Sequence, residues 1–253
     1  MSIPSCTDPP VKGAITWSFG FSGRGVRTVD PRTLTDADFT HLRPLREGNP
    51  RRRRSSATSD PGYRGQHHLP RHAWLPGRSA HVGIESELEH QLLRRLSRPT
   101  VSTVVVPQPC RVQLVQFPGP RTPDFLQVDH AGAITIWNCR PLDKQDDDFT
   151  ATAAAMDSAC AAVGWAHQVF DGMPLAEHLN LLWLNGFRRE RPWHADQRAA
   201  VLAVAGPTVP LGHLLDAGDT EFVSTVWHLV WTGDLLCDLE HPITEATAVR
   251  VVP

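Results

Sequence analysis

Lysine is nearly missing from this chain: of its 25 basic residues only Lys12 and Lys144 are lysine, and all the others are arginine. Long apolar runs are missing too. None approaches the roughly 18–20 residues of a bilayer-spanning helix, so no membrane helix and no membrane partner is expected. The N-terminus has no basic patch followed by an apolar stretch and a small-residue cleavage site, which argues against secretion. The five cysteines (Cys6, Cys110, Cys139, Cys160 and Cys237) form no C-x-x-C pair. Such an odd, scattered set points to reduced thiols in a cytoplasmic protein, not to disulfides or a structural zinc site. There is no G-x-S-x-G elbow, no P-loop and no G-x-G-x-x-G after a strand, which removes the commonest hydrolase and nucleotide-binding layouts.

What is present describes a soluble globular chain, 41% hydrophobic and 21% charged. Its 253 residues allow one substantial domain with a small companion, or two small domains. The formal net charge of −2 conceals a polarity. Residues 1–80 carry 13 Lys+Arg against 6 Asp+Glu, a net of +7, and residues 81–253 carry 12 against 21, a net of −9. Arginine grips phosphate through two parallel hydrogen bonds, which suits a DNA-binding arm. A GC-rich coding bias also explains much arginine, but it does not explain the clustering. Arg51, Arg52, Arg53 and Arg54 lie in a Pro- and Ser-flanked stretch that reads as an exposed linker, either touching DNA phosphates or merely solvated.

Periodicity divides the chain into a basic, largely flexible segment (1–60), a nuclease-sized α/β region (61–192) and a helical tail (193–253). In the first, ITWSFGF (15–21) alternates enough for a strand. The histidines at 67, 68, 72 and 81 fit no ligand spacing of zinc. HVGIESELEHQLLRRL (81–96) reads as one helix, with Leu88, Leu92 and Leu96 on one face and Glu85 and Glu89 sharing a side. VSTVVVPQPCRVQLVQF (101–117) is β-rich. TPDFLQV and AITIWNC are two strands joined by Asp129-His130-Ala131-Gly132, a hairpin composition. A helix (149–163), a strand (165–170) and a helix opened by Pro174 follow. The tail offers three helices and one or two strands, the pattern either of a winged-helix-like module or of a plain helical extension. Trp227 and Trp231, four apart, read as core.

The hairpin carries P-D-x(13)-N-x-R. Period-two geometry puts Asn138 and Arg140 on one face of their strand, with Asp124 on the partner strand. Carboxylates from Asp124 and from Glu85 or Glu89, with the amide oxygen of Asn138, are the oxygen donors a hard cation prefers. A bound Mg²⁺ lowers the pKa of an attacking water and neutralises charge on a scissile phosphate. Taken alone, the same pattern also describes a surface hairpin with a capping aspartate.

Read together, Glu85-Ser86-Glu87-Leu88-Glu89, Gln108-Pro109, Pro123-Asp124-Phe125, Asn138-Cys139-Arg140-Pro141 and the segment LNGFRRERPW make the chain, over roughly residues 60–195, similar to TnsA-like endonuclease subunits of heteromeric transposases. The resemblance implies a restriction-endonuclease-like αβββαβ core with a mixed sheet, followed by a small winged-helix-like domain. It implies an Mg²⁺-dependent (or Mn²⁺-dependent) cut of the 5′ strands at transposon ends. The implied partners are DNA, a DDE-type transposase and an AAA+ ATPase. Carried onto this sequence, Asp124, Glu89 and Asn138 are the metal ligands, Glu85 is a further acid and Arg140 the electrophilic cation. Arg188 and Arg189 are candidate DNA contacts. Arg140 departs from the family's lysine: it keeps the charge but is bulkier and cannot release its proton. A catalytically silent module that binds DNA or a partner is therefore the alternative.

Overall fold

The computed structural model describes residues 15–23, 25–45, 71–75 and 80–252. It is a mixed α/β structure with seven α-helices and several sheets among these residues. No helix among them is long and apolar enough to cross a membrane. The chain divides into two compact units: residues 1–69 with 104–170, and residues 70–103 with 171–253. This interleaving differs from the consecutive division at 60 and 192 that periodicity suggests.

The first unit contains two sheets. One has β1 (Thr16–Phe21) at its centre, antiparallel to β2 (Gly25–Thr28), to β3 (Leu42–Arg43) and, through Thr16–Phe19, to β7 (Cys110–Gln113). The short helix α1 (Asp36–His41) precedes β3. The basic N-terminal segment is thus not uniformly flexible. Alternation in TWSFGF buries Trp17, Phe19 and Phe21, and that burial is reason enough for order between 16 and 43. The run Arg51–Arg54 lies outside the described residues.

The second sheet is mixed, in the order β10 (Ala166–Phe170), β9 (Ile134–Cys139), β8 (Phe125–Val128), β6 (Val104–Pro107). β6, β8 and β9 are antiparallel; β10 runs parallel to β9. A parallel neighbour requires a crossover, and α3 (Asp147–Ala161) supplies it. Asp146 caps α3 by accepting the Phe149 N–H. The turn between β8 and β9 is closed by Asp129, whose Oδ1 accepts the N–H groups of Ala131 and Ala133, both at 2.8 Å. Gly132 sits there at φ +80°, a conformation that favours a residue without Cβ. Both sheets share one core with Met156, Ala159 and Cys160 of α3. Trp165 closes it, with its ring centroid 5.5 Å from Trp17 and 6.1 Å from Phe19.

The second unit begins with the hairpin β4 (Arg71–Leu75) and β5 (Ala80–Ile84), followed by α2 (Glu87–Leu96). The helix expected over 81–96 therefore starts six residues later. Val82 and Ile84 favour the strand that pairs with β4, and Ser86 supplies the helix N-cap by accepting the Glu89 N–H. The apolar periodicity holds inside the shorter helix: Leu92, Leu93 and Leu96 are buried, as is Ile84 before it. Helix α4 (Leu175–Leu184) is joined to α2 by a two-pronged ion pair, Arg95 donating to Glu177 at 2.8 and 2.6 Å. Then come α5 (Pro192–Ala205), β11 (Val209–Pro210), α6 (Leu211–Asp216), α7 (Thr220–Thr232), β12 (Leu235–Leu236) and β13 (Ala248–Val251). The last three strands form an antiparallel sheet with β13 in the middle. Trp227 and Trp231 of α7 are buried, as their four-residue spacing suggests. Gly233 ends α7 at φ +86°, where an added Cβ would fall 1.9 Å from the Thr100 methyl.

Candidate active site

Asp124 stands one residue before β8, behind the buried Pro123. Its backbone is fixed on both sides. The N–H donates to the Trp137 carbonyl (2.9 Å), and the carbonyl accepts from the Gln108 N–H (2.7 Å). Gln108 itself has φ +42°, the one positive value at a non-glycine residue among those described. A left-handed non-glycine costs on the order of 1–3 kcal/mol, and such strain persists where surrounding structure imposes it. Here it is imposed directly beside Asp124, by the Asp124 carbonyl on one side and by the Leu45 N–H on the Gln108 carbonyl on the other.

The Asp124 carboxylate reaches across the hairpin: Oδ2 accepts the backbone N–H of Cys139 at 2.7 Å. The paired register ends at Phe125↔Trp137, and Asp124, one residue before β8, bonds the Trp137 carbonyl and the Cys139 N–H on either side of Asn138. Asn138 shares its strand face with Ile136, which is fully buried in the core containing Met156 and Cys160. The Asn138 side chain meets a residue that sequence reasoning did not single out. Its Oδ1 lies 2.9 Å from Nε2 of His167 on β10, and His167 Nδ1 lies 2.5 Å from Oδ1 of Asp157 on α3. The His167 side chain is 1% exposed, whereas that of Asp157 is 61% exposed. Nothing local in WAHQVF marks this histidine, because residues 138, 157 and 167 come together only through the parallel crossover.

Arg140 follows β9, and its side chain is occupied by the next turn. Nε donates to the Lys144 carbonyl at 2.7 Å, the guanidinium carbon sits 5.5 Å from the Phe149 ring centroid, and Nη2 is 4.0 Å from Asp146. The Lys144 backbone thereby anchors Arg140. Cation–π stacking with a charged hydrogen bond holds the guanidinium against the start of α3.

The side-chain oxygens around the hairpin end are those of one carboxylate, Asp124, and one amide, Asn138, the latter 2.9 Å from His167 Nε2. These are hard oxygen ligands, of the kind Mg²⁺ takes when one or two carboxylates hold it together with waters and substrate phosphates. Among the described residues no group of three or more His, Cys, Asp or Glu side chains is placed to hold a metal ion. The donor types fit Mg²⁺, then, without amounting to an all-protein cage.

No family model matches the chain, and no curated protein matches it.

Glu85 and Glu89 belong to the second unit. Glu85 precedes α2, so the two do not share a helical side as expected. Glu89 is buried, and its carboxylate is used by the helix start: Oε1 accepts the Ser86 hydroxyl (2.8 Å) and Oε2 the Glu85 N–H (3.1 Å), while the Glu89 N–H donates to Ser86 Oγ (3.1 Å). The spacing of Ser86 and Glu89 is thus that of a helix N-cap and its third residue, as in a capping box. Arg188, a candidate DNA contact, donates through Nη1 to the Asn185 carbonyl at 2.7 Å, at the end of α4. Burial and then the neighbouring Arg189 lower its pKa. Arg189 is exposed. Three thiols, two buried and one half-buried, are poor nucleophiles. Burial pushes Cys110 well up, Cys160 up to about 12 and Cys237 up to about 11.

Proposed function

We propose that the chain is the Mg²⁺-dependent endonuclease subunit of a transposition complex, cutting the 5′ strands at transposon ends. The observation that carries this reading is the Asp124 carboxylate, held by the Cys139 N–H at one end of the β8–β9 hairpin with Asn138 one residue before that N–H, beside a strained Gln108-Pro109. The order α2, β6, β8, β9, α3, β10, with β10 parallel to β9, supports a restriction-endonuclease-like core. β7 pairs with β1 and stands apart from that pattern. Helices α5 to α7 with the small sheet β11–β13–β12 support a winged-helix-like module. Asp124 and Asn138 would hold the metal, which when bound supplies an activated water and charge neutralisation at the phosphate. Glu89 is the second acid the resemblance assigns, with Glu85 a further one. Both belong to the other unit and are tested by substitution on their own. DNA, a DDE-type transposase and an AAA+ ATPase are the partners, in the cytoplasm.

A second reading is favoured by one observation. The Arg140 guanidinium is committed to Lys144 and Phe149, so a module kept for DNA or partner binding, without cleavage, has a physical basis. The two readings separate in a nicking assay on transposon-end DNA, with the transposase present and with Mg²⁺ or EDTA. Metal-dependent 5′-strand nicks establish the nuclease. Their absence in a complex that still assembles and joins 3′ ends establishes the silent module.

A further inference from the structure

We propose that Arg43 and Arg111 hold the phosphate backbone of DNA near Asp124, on the open face of the sheet around β1. This rests on the reading of the chain as a DNA-acting subunit and names where it grips the strand. Paired residues of a sheet share a face, so the register gives the composition of that face directly. One row across three strands is Arg111, Ser18 and Thr28; the next is Arg43, Gly20 and Val26. Trp17, Phe19 and Phe21 alternate with these residues along β1 and are buried, so both rows lie on the side away from the core. Arg111, Thr28 and Val26 are exposed and Arg43 is half-buried.

Charge sets this face apart from the rest of its unit. Over the described residues of that unit, ten Asp and no Glu stand against six Arg and one Lys, yet neither row holds a carboxylate. The acid nearest in sequence to the exposed end of a row, Asp30, is taken by the Arg32 guanidinium. The ion pairs among the described residues leave out both Arg43 and Arg111. A face that met only water would gain from opposite charges across its strands, and this one forgoes them. Arg43 and Arg111 lie on the same flank of β1, opposite Gly20 and Ser18, about 7 Å apart along the strand. Two like charges so placed repel each other, and an anion lying across both offsets the repulsion. Arg43 Nη1 donates to the Thr40 and Leu42 carbonyls, which steadies that guanidinium. The hydroxyls of Ser18 and Thr28, 2.9 Å apart in the Arg111 row, are further donors of the kind that meet phosphate oxygens.

Both arginines also stand close to Asp124. Leu45, two residues past Arg43, donates its N–H to the Gln108 carbonyl at 3.1 Å. Gln108, three residues before Arg111, donates its own N–H to the Asp124 carbonyl at 2.7 Å. At about 3.3–3.6 Å per residue, these links keep both Cα atoms within roughly 20 Å of Asp124. A strand held by the two arginines therefore passes within about six nucleotides of that carboxylate.

The test is fluorescence anisotropy of labelled duplexes, of transposon-end and of unrelated sequence, titrated with the full-length chain in EDTA at about 50–200 mM salt. In Arg111→Ala the slope of log K against log salt should fall by about 0.9, and by about as much again when Arg43→Ala is added. Affinity at the lowest salt should drop roughly tenfold per arginine, equally on both sequences. Arg111→Lys should keep the slope, and Arg250→Ala, at an exposed arginine of the second unit, should change nothing. Thermal melts check that each variant folds, and the exposed Arg111 decides alone if Arg43→Ala does not. An unchanged slope in Arg111→Ala overturns the inference and leaves the nuclease reading, which stands on Asp124, intact. A loss confined to the transposon-end duplex also overturns it, because a backbone contact carries no sequence. A slope that falls in a chain that never nicks supports the inference and retires cleavage. A wild type that holds no duplex, alone or in the assembled complex, removes the nuclease reading and the inference together.

Discussion

The end of the β8–β9 hairpin and the start of α2 each hold a carboxylate that sequence pattern marks as a metal ligand, yet the two are held in different ways. Glu89 is bound by its immediate neighbours, Ser86 and Glu85, and these contacts are of the kind the unpaired N–H groups of a helix start call for. Asp124 is bound by the Cys139 N–H, 15 residues away on another strand, and by a backbone contact to a strained glutamine. An acid there caps the end of β9 from a distant point of the chain, a need that no helix start imposes. A local explanation weakens the case for chemistry; a non-local, strained one strengthens it.

The sharpest break of this contrast is Glu89→Gln. Glutamine keeps one of the two acceptor oxygens that Glu89 uses and removes the charge. If Glu89 is also a ligand, nicking is lost at temperatures where a thermal melt shows the chain still folded. If nicking persists, Glu89 is a cap alone. Next in size is Arg140→Lys. Lysine has no planar guanidinium to stack on Phe149 while bonding the Lys144 carbonyl, so it is released from the turn. Nicking should rise several-fold, and a slower variant would make the arginine integral to the site. Ser86→Ala should leave chemistry at the hairpin untouched while costing about 1 kcal/mol of stability through the lost cap. At this chain length that lowers Tm by about 2–4 °C in a thermal melt.

The smallest effect is on pH dependence. Burial holds Cys160 up to about 12 against an ordinary thiol near 9. The folded state therefore binds the proton more tightly, and this contribution to stability is complete below pH 9 and lost as pH rises towards 12. Alkaline melts should show that decline in the unit carrying the hairpin. Iodoacetamide at pH 8 should leave Cys110 and Cys160 unmodified until the chain unfolds, which also checks that hairpin variants keep their core.

Much of the fold could be read in the chain because its signals are local. Asp146 before Phe149, Asp219 before Phe222 and the apolar spacing of Leu92 and Leu96 each specify a helix by short-range physics, and each helix is present. TPDFLQV and AITIWNC form the expected hairpin. Three features were not legible. The leucine periodicity of 88–96 extends the expected helix back over HVGI, whereas Val82 and Ile84 pair there as β5 with β4, which that stretch does not reveal. The strands before residue 45 pack on β7 through pairings almost 100 residues apart in sequence, as in Thr16↔Gln113, which no window on the chain reveals. The link from Asp157 through His167 to Asn138 depends on the crossover of α3 and exists only once β10 lies parallel to β9.

Asp124→Asn bears most directly on the central claim that the hairpin end is the chemical part of the molecule. Asparagine keeps an oxygen to accept the Cys139 N–H and removes the charge that a divalent cation requires. In the assembled complex on transposon-end DNA, Mg²⁺-dependent 5′-strand nicking should disappear while complex assembly and Tm are retained. Nicking at the wild-type rate in Asp124→Asn would contradict it.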